Sequence, residues 1–124
     1  MKTLIPCIDT RMIMLAGFTV ANVSDLPQEA LTDKIVRWTL KAGTPEDPSV
    51  IHRYQMAPGA SAGEDPHFEV EHLLIEAGLF NDGERLWPAG SVISGAPGSV
   101  HYPSSAEGCT FLAFHPNGLG EPTS

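Results

Sequence analysis

Carboxylates and histidines that could bind a metal ion are concentrated in one stretch of this sequence, GEDPHFEVEH, at residues 63–72. If residues 65–73 run as an extended strand, alternate side chains share one face. That face carries Asp65, His67, Glu69 and Glu71. Because unpaired charges are costly to bury, it either meets water or converges on a cation. The two alternatives are a solvated acidic edge and one wall of a metal site.

Two further features favour the metal site. The stretch MAPGASAGED, residues 56–65, is rich in small residues, so the backbone could turn tightly and deliver Asp65 and His67 into a cavity. His101 follows the turn GAPGSV about 30 residues after Glu71, far enough for a hairpin to bring the chain back. Imidazole and carboxylate ligands without cysteine suit iron, manganese, nickel or zinc, and two histidines with one carboxylate form a facial triad with open positions.

The other polar residues have plainer interpretations. Glu69 is expected to face solvent or to support a ligand, and His72 should face away from the site by alternation. His52 and His115 lie in apolar strands and are expected to pack or to reach the surface. For Asp65, an Asx turn before Pro66 competes with metal binding.

The elements that must position these residues are short strands. The 12 glycines and 11 prolines divide the chain into strand-length segments, at 33–43, 49–59, 68–78, 91–98 and 109–116. Trp38, Tyr54, Gln55 and Phe111 are expected to fill the core. One short helix is predicted over 24–33, where Ser24 or Asp25 could cap it. The pattern predicts an all-β sandwich or barrel with at most one short helix.

Composition narrows the class of protein and its partners. At 124 residues the chain fits one domain, and a net charge of -8 with only seven Lys and Arg argues against nucleic-acid binding. No apolar run approaches the roughly 18 residues of a membrane span, so no membrane partner is expected. The start, MKTLIPCIDTRMIML, is a poor secretory signal, which predicts a cytoplasmic protein. Cys7 and Cys109 are too far apart to suggest a thiolate zinc site, and both are expected to be free thiols, with Cys109 packed.

The spacing of these residues resembles the two sequence motifs of the cupin superfamily. The first motif is glycine, five residues, His-x-His, three or four residues, glutamate, six residues, glycine. It is matched at every spacing by Gly59, Asp65-Pro66-His67, Glu71 and Gly78, with aspartate in place of the first histidine. The second is glycine, five residues, Pro-x-Gly, two residues, histidine, three residues, asparagine. It is matched by Gly90, Ala96-Pro97-Gly98 and His101, with alanine for the proline and Ser105 for the asparagine.

Within the cupins the chain most resembles the ChrR-like group. That group carries a PGA segment, an F-x-D turn, YPAGS, PPGSxH and EEGC. The corresponding segments here are Pro58-Gly59-Ala60, Phe80-Asn81-Asp82, Trp87-Pro88-Ala89-Gly90-Ser91, Ala96-Pro97-Gly98-Ser99-Val100-His101 and Glu107-Gly108-Cys109. The resemblance covers residues 33–115 and is specific because several independent spacings agree.

The resemblance implies a double-stranded β-helix, or jelly-roll barrel, over residues 33–116. It implies an N-terminal strand and short-helix segment at 1–32 that packs on the barrel or at a dimer interface, and we expect a flexible tail at 117–124. It also implies a divalent ion, Fe, Mn, Zn or Ni, held by Asp65, His67, Glu71 and His101. If both carboxylates bind, they cancel the charge of the ion, whereas the family's set of three histidines and one glutamate leaves one positive charge.

Three functions follow as hypotheses. The first is a metal-dependent, non-haem oxygenase acting on a small carbonyl compound such as a diketone or an aryl ketone, as some similar proteins do. The second is a metal-dependent module that binds or senses a small ligand without catalysis. A sigma-factor partner is not expected, because the sequence shows no zinc-binding helical domain before the barrel. The third is a metal-free relic of the fold. We further expect a homodimer with a small molecule as substrate or ligand, and catalytic residues stay unassigned.

Overall fold

The computed structural model describes residues 15–120, and its regular secondary structure is almost entirely β-strand. A 3-10 helix at Val23–Asp25 precedes the strands. The strands are β1 Glu29–Ala30, β2 Ile35–Lys41, β3 Val50–Met56, β4 Ala60–Ser61, β5 Asp65–Pro66, β6 Glu71–Asn81, β7 Leu86–Pro88, β8 Val92–Gly95, β9 Val100–His101, β10 Ser104–Ser105 and β11 Cys109–His115. The all-β prediction is confirmed. The 15–120 range contains no helix long and apolar enough to span a membrane.

The strands form one curled antiparallel sheet and one short ribbon. The main path of the sheet runs β1-β2-β3-β11-β6-β10-β4, and both β7 and β8 pair with β6. The long strand β6 is therefore central, since it pairs with β11 along one edge and with β8 and then β7 along the other. The ribbon consists of β5 and β9 alone, with Asp65 directly opposite His101.

Alternating side chains of β2, β3, β6 and β11 fill the inside of the curled sheet. The buried cluster comprises Ile35, Met56, Ala60, Leu73, Ile75, Phe80, Cys109, Phe111 and Ala113. These strands lie inside or overlap the predicted segments because the two-residue period of polar and apolar side chains matches their pleat. This buried cluster lines the interior of the curled sheet. The polar residues of β5, β6 and β9 point into the same interior.

Two local predictions were wrong. In place of a helix over 24–33, the 3-10 helix ends at Asp25 and β1 pairs with β2. Glu29 stabilises this pairing of β1 with β2, because its carboxylate accepts hydrogen bonds from Arg37 Nη2 at 2.6 Å and Thr39 Oγ1 at 2.7 Å.

The predicted extended run 65–73 is broken by a bend between Pro66 and Glu71. Residues 1–14 of the predicted N-terminal segment and 121–124 of the predicted tail lie outside the described residues.

Gly78 marks a β-bulge where β6 changes register with β11. Thr110 pairs with Ala77 but Phe111 pairs with Ile75, so Glu76 is the extra residue. Gly78 has a φ of 78°, and a Cβ added there would collide with the backbone carbonyl oxygen of Gly108. Only glycine fits this position, which explains the last glycine of the first motif.

We predict that Gly78→Ala lowers the free energy of unfolding by about 2–5 kcal/mol, from left-handed backbone strain together with the collision. Gly90→Ala is the matched control, because Gly90 has a φ of 90° but nothing within 4 Å of an added Cβ. It should cost only about 1–2 kcal/mol of strain. Urea denaturation of both variants measures the difference, and equal costs would contradict this explanation of why position 78 requires glycine.

Candidate metal centre

Four side chains converge in the interior of the curled sheet, where the short ribbon meets the start of β6. One potential ligand atom from each of Asp65, His67, Glu71 and His101 lies within 4.8 Å of the others. Two ligands on opposite sides of one ion, each about 2.1 Å from it, are separated by roughly 4.2 Å. The group is therefore close to the size needed to surround one ion.

The contacts within this group connect both histidines to both carboxylates. His101 Nε2 lies 2.9 Å from Asp65 Oδ2 and 3.9 Å from Glu71 Oε1. His67 Nε2 lies 3.7 Å from Asp65 Oδ2 and 3.4 Å from Glu71 Oε1. The two imidazole rings meet edge to face, with their centroids 4.6 Å apart. All four groups thus face one small volume.

Backbone pairing delivers each member of the group. Asp65 and His101 are register partners in the ribbon, and Glu71 opens β6 opposite Gly95 of β8. His67 lies in the bend between β5 and β6, where its N–H donates to the carbonyl of Ser99 at 2.9 Å. Its carbonyl accepts from the N–H of Gly98 at 2.8 Å. The PGS segment of the second motif therefore holds the histidine of the first.

The clearest indication that this group fits a cation is the imidazole of His67. This residue is 8% exposed, and its Nε2 is buried without a hydrogen-bond partner. A buried polar atom left unsatisfied costs about 1–3 kcal/mol. Its nearest neighbours in the group are carboxylate oxygens, so a divalent ion would satisfy the nitrogen and neutralise the oxygens together. The residues present fit a metal ion.

The charges of the group are strongly coupled. Burial, followed by repulsion from Asp65, raises the pKa of Glu71 to about 7. Burial would also raise the pKa of Asp65, but the hydrogen bond with His101 and the nearby imidazoles outweigh it and hold that pKa below its usual value. Burial lowers the pKa of His67 despite the attraction of Asp65. A neutral imidazole beside two acids is a form ready to bind a cation.

An apolar cavity of about 250 Å³ adjoins the group and includes Asp65, Glu71 and His101 in its wall. The rest of the wall is mainly hydrophobic, with Ile35, Tyr54, Met56, Leu73, Phe80 and Phe111. Tyr54 and Phe111 stack with centroids 5.1 Å apart, and Phe80 meets Phe111 edge to face at 5.2 Å. A second, more polar cavity shares Glu71, Leu73 and His101 with the first.

His115 is a neighbour of the group that the sequence analysis assigned only to packing or the surface. Its Nε2 lies 3.4 Å from Glu71 Oε2 and is buried without a hydrogen-bond partner. His52 packs against it, and burial followed by repulsion from Arg37 lowers the pKa of His52 to about 4. The alternation in CTFLAFH was a usable signal, because it puts His115 on the same inward face as Phe111 and Ala113.

The remaining singled-out residues lie apart from the group. Glu69 is half-buried outside it, and His72 faces away, with its Nδ1 2.7 Å from Ser94 Oγ.

The residues expected to fill the core have different environments. Trp38 is buried beneath the guanidinium of Arg53, whereas Gln55 is exposed, so the expectation of core filling was wrong for Gln55. Tyr54 and Phe111 line the cavity. Cys109 is a buried free thiol, as predicted, whereas Cys7 lies outside the described residues.

Comparison with solved structures identifies the fold. ChrR of Rhodobacter sphaeroides, an anti-sigma protein solved in complex with SigE, has a TM-score of 0.64 and 19% identity, over 76% of this chain and 50% of that one. An RmlC-like cupin from Shewanella frigidimarina has a TM-score of 0.67 and 17% identity, over 78% and 89%. The chain has the cupin fold. The resemblance to cupins, with ChrR among its structural neighbours, is therefore confirmed at the level of the fold.

Other solved structures are similar over most of the chain. The polyketide cyclase RemF of Streptomyces resistomycificus has a TM-score of 0.71 and 14% identity, over 84% of this chain and 82% of RemF. The chain spans half the length of the ChrR chain. No protein-family profile and no curated protein matches the sequence. At these identities the likeness establishes the fold, and the function must be argued from the site.

Proposed function

We propose that this cupin binds one divalent metal ion through Asp65, His67, Glu71 and His101. We further propose that it carries out oxygenase-type chemistry on a small carbonyl compound. The observation that supports this most is the buried Nε2 of His67, which has no hydrogen-bond partner and faces two carboxylates beside an apolar cavity. The chemistry that a bound ion supplies is polarisation of the carbonyl oxygen and, for a redox-active ion, reaction with dioxygen.

The donor set favours iron, manganese, nickel or zinc, because it offers imidazole and carboxylate without thiolate. Asp65 stands where the cupin motif has a histidine, and its carboxylate is engaged with His101 at 2.9 Å. If Asp65 binds, the two carboxylates and the divalent ion sum to zero charge. If it stays outside, His67, Glu71 and His101 form a facial triad with open positions.

The cavity supports a neutral and largely apolar substrate. Aromatic rings and aliphatic side chains form most of its wall, and Glu64 is the one carboxylate there that is not a proposed ligand. With both ligand carboxylates bound the centre is neutral and attracts an anionic substrate less than a centre with three histidines and one glutamate. A diketone or an aryl ketone can place its oxygens at the polar end and its ring or alkyl groups among Tyr54, Phe80 and Phe111. Its volume of about 250 Å³ suits a small molecule. The similarity to RemF, a polyketide cyclase, agrees with a carbonyl substrate.

The second candidate is a sensor that binds metal and a small ligand without turnover. Its support is the similarity to ChrR, which was solved as an anti-sigma protein in complex with SigE. The same metal group and cavity would serve ligand binding. The two candidates differ only in turnover.

We also propose a homodimer. Val92, Leu74 and Phe114 are 66%, 40% and 41% exposed. Register and alternation place them on the outer face of the sheet, where Leu74 pairs with Val92 and Phe114 lies beside His72. Two copies could cover this apolar face mutually. Light scattering should give twice the 13.3 kDa chain mass, and a monomeric mass would contradict the proposal.

The metal site predicts that protein purified without chelators or a histidine tag carries one metal ion per chain. His101→Gln should lose most of it because one ligand is removed. His72→Gln is the matched control, since His72 is a histidine of the outer face and should leave the metal content unchanged. Elemental analysis measures the metal content of each protein. Equal metal content in both variants, or no metal in the wild-type protein, would contradict the proposed site.

The oxygenase function predicts that iron-loaded protein consumes oxygen with neutral diketones or aryl ketones and not with α-keto acids of similar size. The reasons are the mainly apolar wall of the cavity and a centre in which two carboxylates cancel the charge of the ion. An oxygen electrode and product analysis measure the reaction, with His101→Gln as the metal-poor control. Stoichiometric iron and ketone binding without oxygen consumption would refute the oxygenase and favour the sensor.

A further inference from the structure

We propose that His115 is a positioning residue that holds the Glu71 carboxylate with Oε1 turned toward His67 and His101. This inference rests on the proposed metal site and assigns a role to a residue that lies outside both cupin motifs. The two oxygens of Glu71 have different surroundings. Oε1 lies 3.4 Å from His67 Nε2 and 3.9 Å from His101 Nε2, whereas Oε2 lies 3.4 Å from His115 Nε2.

The contact between His115 Nε2 and Glu71 Oε2 is shielded from water. Glu71 is 7% exposed and His115 is 6% exposed, so water cannot readily substitute for either partner. His115 Nε2 has no hydrogen-bond partner at its present geometry, and Glu71 Oε2 is the acceptor beside it. Shortening this 3.4 Å contact to about 2.7–2.9 Å would make it a charge-assisted hydrogen bond.

The ring of His115 is itself held in place. It lies in β11, which is paired with β3 on one side and β6 on the other. The ring of His52 packs against it edge to face, with centroids 5.8 Å apart, and His52 Nδ1 lies 3.3 Å from the Tyr54 hydroxyl. The carbonyl of His115 accepts the N–H of Gly118 at 3.1 Å. Because these contacts hold the His115 ring in place, its Nε2 can hold the Glu71 carboxylate in one orientation.

The consequence for the metal site is a defined carboxylate orientation. The terminal torsion of a glutamate side chain is broad, so an unrestrained carboxylate exchanges its two oxygens. With Oε2 held beside His115 Nε2, Oε1 is the oxygen left to face His67 and His101. Hydrogen-bond partners of metal ligands typically contribute about 10–100-fold to metal affinity.

Two substitutions of similar size separate the hydrogen bond from packing. His115→Gln retains an N–H donor that can reach Glu71, whereas His115→Met fills comparable space without one. Co²⁺ affinity is measured by competition with a chromophoric chelator, and the visible spectrum of the Co²⁺ form reports the ligand geometry. Urea denaturation of the metal-free proteins verifies that each variant folds.

We expect His115→Met to weaken Co²⁺ binding by about 10–100-fold and to alter the spectrum. His115→Gln should retain most of the wild-type affinity and spectrum. Equal behaviour of the two variants, whether both wild-type or both impaired, would overturn the role of His115 while leaving the metal site standing. A wild-type protein that binds no Co²⁺ would overturn the metal site and this role with it.

Discussion

A carboxylate inside an apolar barrel must be compensated, and Glu71 imposes that requirement on the rest of this structure. It opens the central strand β6, is 7% exposed, and faces the imidazole nitrogens of His67, His101 and His115 within 3.9 Å. Leaving such a charge unpaired costs several kcal/mol. Burial lowers the pKa of His67 and of His115, so these imidazoles give the two acids little compensating charge, whereas a divalent ion can supply it. The short ribbon and the PGS turn are arranged to bring the other ligands to this point.

The second carboxylate, Asp65, sets the character of the centre. Its side chain is 45% exposed, so it costs less to hold there than Glu71 and can remain ionised beside His101. A centre with two carboxylates attracts anionic ligands less than a centre with three histidines and one carboxylate. The neighbouring cavity agrees, because aromatic and aliphatic side chains dominate its wall. Charge and shape together favour neutral, largely apolar ligands over anionic ones.

Much of the fold and the set of four candidate ligands could be predicted from the sequence because both depend on local periodicity and spacing. β2, β3 and β11 follow a two-residue alternation between turns, and the motif distances bring residues 65, 67, 71 and 101 together. The predictions that were wrong or incomplete concern residues whose partners are distant in sequence. Glu29 is drawn into a strand by Arg37, and the bend at His67 is held by Gly98 and Ser99. His115 looked like a packing residue because its neighbour, Glu71, comes from another strand.

The most direct test of the metal centre is anomalous diffraction from crystals of the metal-loaded protein, recorded on both sides of the absorption edge of that metal. The proposed site predicts one strong peak per chain, within bonding distance of His67 Nε2, Glu71 Oε1 and His101 Nε2. The same map shows whether the Asp65 carboxylate binds. A peak elsewhere, or none while these side chains bond only to one another and to water, would contradict the claim that the buried carboxylate is balanced by a metal ion.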